Sequence, residues 1–130
     1  MFILDTNTLI YFFKGMGGVS QRLLATPPSE IGIPTIVVYE LEVGIAKSGS
    51  PRKRRAQLDV IMGLVSILSF GREEAMASAR LRAGLERAGS PIGPMDTLIA
   101  GTALSQGAVL VSRNLAEFER IRDLRVENWF

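Results

Sequence analysis

Gly93-Pro94-Met95-Asp96-Thr97-Leu98-Ile99-Ala100-Gly101-Thr102-Ala103-Leu104-Ser105-Gln106-Gly107 runs directly into Ala108-Val109-Leu110-Val111, and this junction decides the fold. Gly93-Pro94 opens a helix, because proline suits a first helical turn whose N–H groups have no partner. The helix carries Leu98, Ile99, Ala103 and Leu104, and Gly107 is a natural stop. Ala108 to Val111 then reads as a strand too apolar to have a solvent face. A strand buried on both sides belongs in a parallel sheet with helices above and below it.

The same alternation extends outward to both ends of the chain. Phe2-Ile3-Leu4 is a short buried strand that feeds Asp5-Thr6-Asn7, where capping residues meet a helix carrying Leu9, Ile10, Phe12 and Phe13 and ending near Gly15. Ser20 is placed to cap a second helix over 21–25, and Pro27-Pro28 breaks the chain. Ile31-Gly32-Ile33 is the next strand, with Pro34 at the start of a helix to about Ser48. A helix from Arg52 through Leu58, Ile61, Met62 and Val65, a strand over 66–70 and a helix over 72–88 complete the pattern. The expected fold is therefore α/β, a short and mostly parallel sheet flanked by helices on both faces. With no repeat, low-complexity tract or linker, residues 1–130 are expected to form one domain.

Composition narrows the chemistry. The chain has no cysteine and no histidine, which excludes disulfide scaffolds, thiol nucleophiles, imidazole bases and the usual zinc sites. The work must fall to carboxylates. A formal charge of +2 permits a polyanionic partner without requiring one. No run approaches the length of a membrane span, and Met1 to Leu9 lacks a basic region, a long apolar run and a cleavage site, so no membrane association and a cytoplasmic location are expected.

Ligands of open α/β sheets collect beyond the carboxyl ends of the strands, and four polar residues fall there or in the adjoining helices: Asp5, Glu40, Asp96 and Asn114. Each has a plain structural alternative. Asp5 is a good helix N-cap, and Asp96 sits in a first helical turn where the dipole favours an acid. Glu40 lies in Ile36-Val37-Val38-Tyr39-Glu40-Leu41-Glu42-Val43, a segment apolar nearly all round, and periodicity does not choose between Glu40 and Glu42. Carboxylates that converge with no lysine among them repel unless a hard cation lies between them, and oxygen-only ligands favour Mg²⁺ or Mn²⁺. Such ions activate water for phosphodiester hydrolysis without a histidine.

At these residues the sequence resembles the PIN-domain ribonucleases and, among them, the VapC-type toxins of type II toxin-antitoxin systems. The resemblance rests on Phe-Ile-Leu-Asp-Thr-Asn at 2–7, Tyr-Glu-Leu-Glu-Val-Gly at 39–44, Gly-Pro-Met-Asp-Thr-Leu-Ile-Ala-Gly at 93–101 and Val-Ser-Arg-Asn-Leu-Ala-Glu-Phe at 111–118. It implies that Asp5, Glu40 and Asp96 are the catalytic, metal-holding acids, with Gly44 favouring Glu40 and leaving Glu42 at the surface. Where many relatives have a fourth acid this chain has Asn114, which offers an amide oxygen but no charge. Glu117 and Glu119 lie near enough to replace that charge or else form a helix surface, and Ser112 either supports the ligands or shapes the turn.

The resemblance also implies an endoribonuclease acting on structured RNA, above all tRNA, and a homodimer. It further implies a VapB-type antitoxin that blocks the toxin and brings it to operator DNA. Arg113 and the run Arg52-Lys53-Arg54-Arg55 are the candidate RNA contacts, the run being alternatively a solvated face. Leu9, Phe12, Phe13, Leu23 and Leu24 are candidates to receive the antitoxin tail, against ordinary core packing. Gly15-Met16-Gly17-Gly18 follows a helix and lacks the Walker lysine, so it is no phosphate loop. The rival readings are a PIN-like RNA- or protein-binding module that does not cut, and a nuclease directed at DNA.

Overall fold

The computed structural model describes all residues from Met1 to Phe130. In chain order the elements are β1 (Phe2–Leu4), α1 (Thr6–Lys14), α2 (Val19–Leu24), a 3-10 turn (Pro28–Glu30), β2 (Ile31–Pro34), α3 (Thr35–Lys47), α4 (Pro51–Met62), β3 (Ser66–Leu68), α5 (Arg72–Arg87), α6 (Pro94–Gln106), β4 (Val109–Val111), α7 (Leu115–Phe118) and β5 (Arg125–Glu127). The strands form one sheet in the order β3-β2-β1-β4-β5, and every neighbouring pair is parallel. The sheet is thus wholly rather than mostly parallel. No helix is long and apolar enough to cross a membrane.

The chain leaves β1 toward β2 and β3 on one side, then returns to β4 and β5 on the other. That reversal opens a crevice beyond the carboxyl ends of β1 and β4, and both strand ends are anchored there: the Asp5 amide donates to the Val111 carbonyl at 3.2 Å. Ile3, Leu4, Ile33, Leu110 and Val111 are wholly buried, as strands covered on both faces must be.

Helix α6 is buried at Thr97 and from Ile99 to Ala103, a stretch that includes Thr102. The Thr97 and Thr102 hydroxyls donate to the carbonyls of Gly93 and Leu98 at 2.9 Å each, so neither threonine hydroxyl is orphaned. It packs tightly on α5 at Gly101, where a Cβ would stand 2.8 Å from the Ser78 Cα. The glycine lets two backbones approach and so fixes the height at which Asp96 emerges.

Four expectations need correction. The helix expected from Arg52 through Val65 ends at Met62. Ser20 does not cap α2, which begins at Val19; Gly17, at φ +63°, turns the chain, and the Gly18 amide donates to the Phe130 carbonyl at 2.6 Å. The expected strand over 66–70 ends at Leu68. Leu9 is not at a receiving surface but wholly buried, because it faces the sheet from α1. Beyond these, β5 pairs with β4 from Arg125 to Glu127, a charged edge strand with no hydrophobic signature to announce it.

Candidate metal centre

Asp5 begins the site. It is the N-cap of α1, with Oδ1 accepting from the Thr8 amide at 2.9 Å, and it is buried. The Thr8 hydroxyl donates to the Val111 carbonyl at 3.2 Å, which ties the cap to β4. One carboxylate oxygen is therefore fixed by the helix while the other is available, so the capping role and a ligand role are compatible.

Glu40 reaches the same crevice from α3. The Thr6 hydroxyl donates to its Oε1 at 2.6 Å, a short charge-assisted bond that orients the carboxylate. Thr6, expected from the sequence only to shape the loop beneath Asp5, orients Glu40, and Thr8 is a positioning residue that the sequence does not announce. Their threonine-x-threonine spacing directly after Asp5 is visible in the sequence but is indistinguishable there from ordinary capping chemistry.

Asp96 emerges from the first turn of α6. Its carboxyl group is pushed up to about 7, first by burial, then by a hydrogen bond with Glu117 and the charge of that residue, and then by the charges of Asp5 and Glu40. Four carboxyl groups from α1, α3, α6 and α7 thus share one electrostatic environment. No three of them are grouped closely enough to hold a metal ion as they stand. The four ion pairs of the protein, Arg22–Glu127, Arg55–Glu42, Arg55–Asp59 and Arg82–Glu86, all lie elsewhere.

Asn114 answers the question raised by its missing charge. Its Nδ2 donates to Glu117 Oε2 at 3.0 Å, and its backbone amide donates to the Oγ of wholly buried Ser112 at 3.0 Å. Ser112 shapes the turn, the turn holds Asn114, and Asn114 holds the acid that meets Asp96. Glu119 is exposed and makes no side-chain hydrogen bond or ion pair.

Glu42 lies away from this cleft, bound through both oxygens by Arg55 at 2.5 Å; the hydrogen bond and charge of Arg55 hold its carboxyl below the usual range. Arg55 is thereby committed to Glu42, with Asp59 at 4.0 Å, and is the least available of the four basic residues in its run. Arg54 donates to Gln57 at 3.0 Å, a neutral partner, while Arg52 and Lys53 are exposed. The Arg113 guanidinium stacks 3.6 Å from the Phe130 ring centroid and 5.6 Å from that of Tyr11. Glu42→Gln should change any hydrolytic activity of the crevice by less than about twofold, since exposed ion pairs contribute little. A large loss in a cleavage assay would move the third acid from Glu40 to Glu42.

A crevice of oxygen donors at the switch point of a parallel sheet is the scaffold that metal-assisted phosphodiester hydrolysis employs. The comparisons with known proteins are specific. The PIN domain model matches residues 2–124. The tRNA(fMet)-specific endonuclease VapC of Salmonella typhimurium is 37% identical over 128 residues, spanning 98% of this chain and 97% of that protein. Ribonuclease VapC2 of Rickettsia felis is 34% identical over 131 residues, spanning 99% and 98%. Among solved structures, VapBC2 from Rickettsia felis bound to a DNA fragment from their promoter superposes with a TM-score of 0.92 at 32% identity, covering 99% of this chain and 98% of that one. DNA-bound VapBC from Salmonella typhimurium gives 0.92 at 37% identity, with the same coverage. The chain belongs to the PIN-domain family, among its VapC ribonucleases.

Proposed function

We propose that this protein is the toxin of a type II toxin-antitoxin pair, an endoribonuclease that cuts structured RNA, tRNA being the leading substrate, with Mg²⁺ or, in its place, Mn²⁺. What supports this reading is that Asp96, beyond the carboxyl end of the sheet, feels the charges of Glu117, Asp5 and Glu40, and that none of these four acids is held in an ion pair. An all-oxygen, anionic donor set fits a hard divalent cation. Such a cation, when bound, supplies charge neutralisation at the phosphate and a water of lowered pKa.

The residues of the chain do the rest. Asp5 presents one oxygen to the crevice from a cap that fixes its position, and Asp96 presents its carboxyl from a helix N-terminus whose dipole favours the ionised form. Glu40, held by Thr6, orients water. Glu117 supplies the fourth charge that Asn114 lacks, and Asn114 and Ser112 act as positioning residues. Arg113, with Arg52, Lys53 and Arg54, meets the phosphate backbone. Glu119 takes no part.

Proton linkage gives a direct check. A carboxyl whose folded pKa lies above its unfolded value of 3.8 holds a proton that the unfolded chain releases. The stability contributed by Asp96 is therefore lost as pH rises from about 4 through about 7. Metal-free protein should melt at a lower temperature at pH 8 than at pH 5.5 on account of this group. Because a cation competes with the proton, the rise in Tm on adding Mg²⁺ should be larger at pH 8 than at pH 5.5. Thermal melts in EDTA and in Mg²⁺ at both pH values test this, and a metal effect that shrinks with pH contradicts it.

An apolar groove of about 580 Å³ between α1, α2 and α4 presents Phe12, Phe13, Leu24, Val60 and Leu64, of which Leu24 is 79% exposed. We assign it to the tail of a VapB-type antitoxin, through which a toxin homodimer would be carried to operator DNA. The protein is expected to act in the cytoplasm as one PIN domain over residues 1–130. The functional test is incubation with tRNA, and with single-stranded DNA alongside, in Mg²⁺, Mn²⁺ and EDTA. Cleavage of RNA that EDTA abolishes is expected. Intact RNA in every condition would leave a binding module, and cleavage of DNA alone would leave a DNA nuclease.

A further inference from the structure

Gly44 stands in the body of α3, where glycine is the poorest residue after proline. Nothing local requires it there. Its φ is not in the left-handed region, and a Cβ built on it meets no atom within 4 Å. Crowding and turn geometry, the two ordinary reasons for a helical glycine, are both absent. What Gly44 does border is a cleft of about 280 Å³ that also contains Glu40, one helical turn earlier on the same face. A side chain at 44 would project into that space beside a carboxylate of the acidic crevice.

The lining of the cleft indicates its occupant. Ile10, Phe13 and Ile45 provide apolar walls, and Lys14 and Arg54 are its two cations. Lys14 makes no ion pair, and Arg54 bonds only to a neutral amide, so neither cation is tied up in a salt bridge, and Glu40 is the one acid of the lining. A ligand that satisfies the cleft has a flat apolar part next to an anionic one. A nucleotide has both. At about 280 Å³ the cleft has room for one base or ribose.

We propose that Gly44 keeps open a subsite for one unpaired nucleotide of the RNA adjoining the cleaved bond. The base lies against Ile10, Phe13 and Ile45, and its phosphate is directed toward Lys14 and Arg54. The inference rests on the reading of the acidic crevice as a ribonuclease site. It assigns substrate selection to a position with no functional group: unpaired RNA enters, and paired RNA is refused.

The test uses Gly44→Ala and Gly44→Leu in the full chain with RNA stem-loops that carry a single abasic nucleotide at each loop position in turn. RNA affinity is read by fluorescence anisotropy in Ca²⁺, Mn²⁺ binding by calorimetry, cleavage by kcat/KM and stability by thermal melting. Gly44→Ala should raise Tm by about 4 °C, as an alanine in a helix body does. Gly44→Leu should keep Mn²⁺ binding while losing about 50-fold in kcat/KM and RNA affinity, within the range that pocket contacts supply.

For the unsubstituted protein one abasic position should weaken binding, and Gly44→Leu should no longer distinguish that position. RNA binding and cleavage unchanged in Gly44→Leu, an abasic penalty that persists in it, or loss of Mn²⁺ binding would each overturn the proposal. So would a Gly44→Leu effect on an antitoxin tail peptide with none on RNA. Absence of RNA cleavage by the unsubstituted protein would instead defeat the ribonuclease reading, while the anisotropy arm still reports on the subsite.

Discussion

Replacing Asp5 by asparagine is expected to lower RNA cleavage by about 10³-fold or more with little change in stability. The separation of the two effects follows from the geometry. Asp5 caps α1 by accepting from the Thr8 amide, and asparagine accepts there as well as aspartate does. The amide removes the negative charge at the crevice and nothing else of consequence. Asp5→Ala also loses the cap and should cost about 1 kcal/mol of stability in addition.

Glu40→Gln and Asp96→Asn are expected to match Asp5→Asn in a cleavage assay, with circular dichroism and thermal melts showing a retained fold. Asp96→Asn is the most diagnostic of these. It removes a carboxyl pushed up to about 7 by burial and by its acidic neighbours, and so relieves repulsion in the metal-free protein. A variant that melts higher without metal yet fails to cut is expected. Full activity would show that Asp96 serves only the end of its helix.

Gly101→Ala carries the largest expected effect on stability, a loss of about 3 kcal/mol, the upper part of the range for overpacking a close contact. The added Cβ would stand 1.9 Å from Ser78 Oγ and 2.8 Å from both Ser78 Cβ and Ser78 Cα. Moving the hydroxyl relieves the first clash but not the last, which is with backbone, so α5 and α6 must separate. Ser78 Oγ is buried without a hydrogen-bond partner. Ser78→Ala alone should therefore be neutral or slightly stabilising, because it deletes an unsatisfied polar atom. The double variant should recover only part of the loss. Denaturant melts check all three, and complete recovery in the double variant would show that the backbone contact is not the cause. Because α6 bears Asp96, Gly101→Ala should also reduce cleavage at temperatures where it is still folded.

The sheet was legible because its inner strands are buried on both faces and so appear as uninterrupted apolar runs, as at Ile3-Leu4 and Leu110-Val111. β5 was not, because Arg-Val-Glu at an edge has neither alternation nor an apolar run, and its pairing is set by β4 rather than by its own residues. The three acids Asp5, Glu40 and Asp96 could be placed near strand ends from spacing and resemblance together. Their supports could not. The Thr6 bond to Glu40 joins residues 34 positions apart, and nothing local to either announces it.

Likewise, Asn114 appears in the sequence as a missing charge, and its bond to Glu117 is visible only in the fold. Gly17-Gly18, discounted as a phosphate loop, proves to be the seat of Phe130: a Cβ at Gly17 would meet its carbonyl oxygen at 2.7 Å. Phe130 in turn stacks on Arg113, next to the acidic turn. Contacts of this kind depend on the returning chain end, which sequence periodicity does not encode.

Crystals soaked in Mn²⁺ and measured for anomalous scattering give the most direct test of the acidic crevice as a metal centre. The predicted result is a peak bonded to carboxylate oxygens of Asp5 and Asp96, with Glu40 and Glu117 bonded to the ion or to its waters, and no such peak in the Asp5→Asn variant. A crevice without manganese at saturating concentration, or a peak held by other residues, would contradict it.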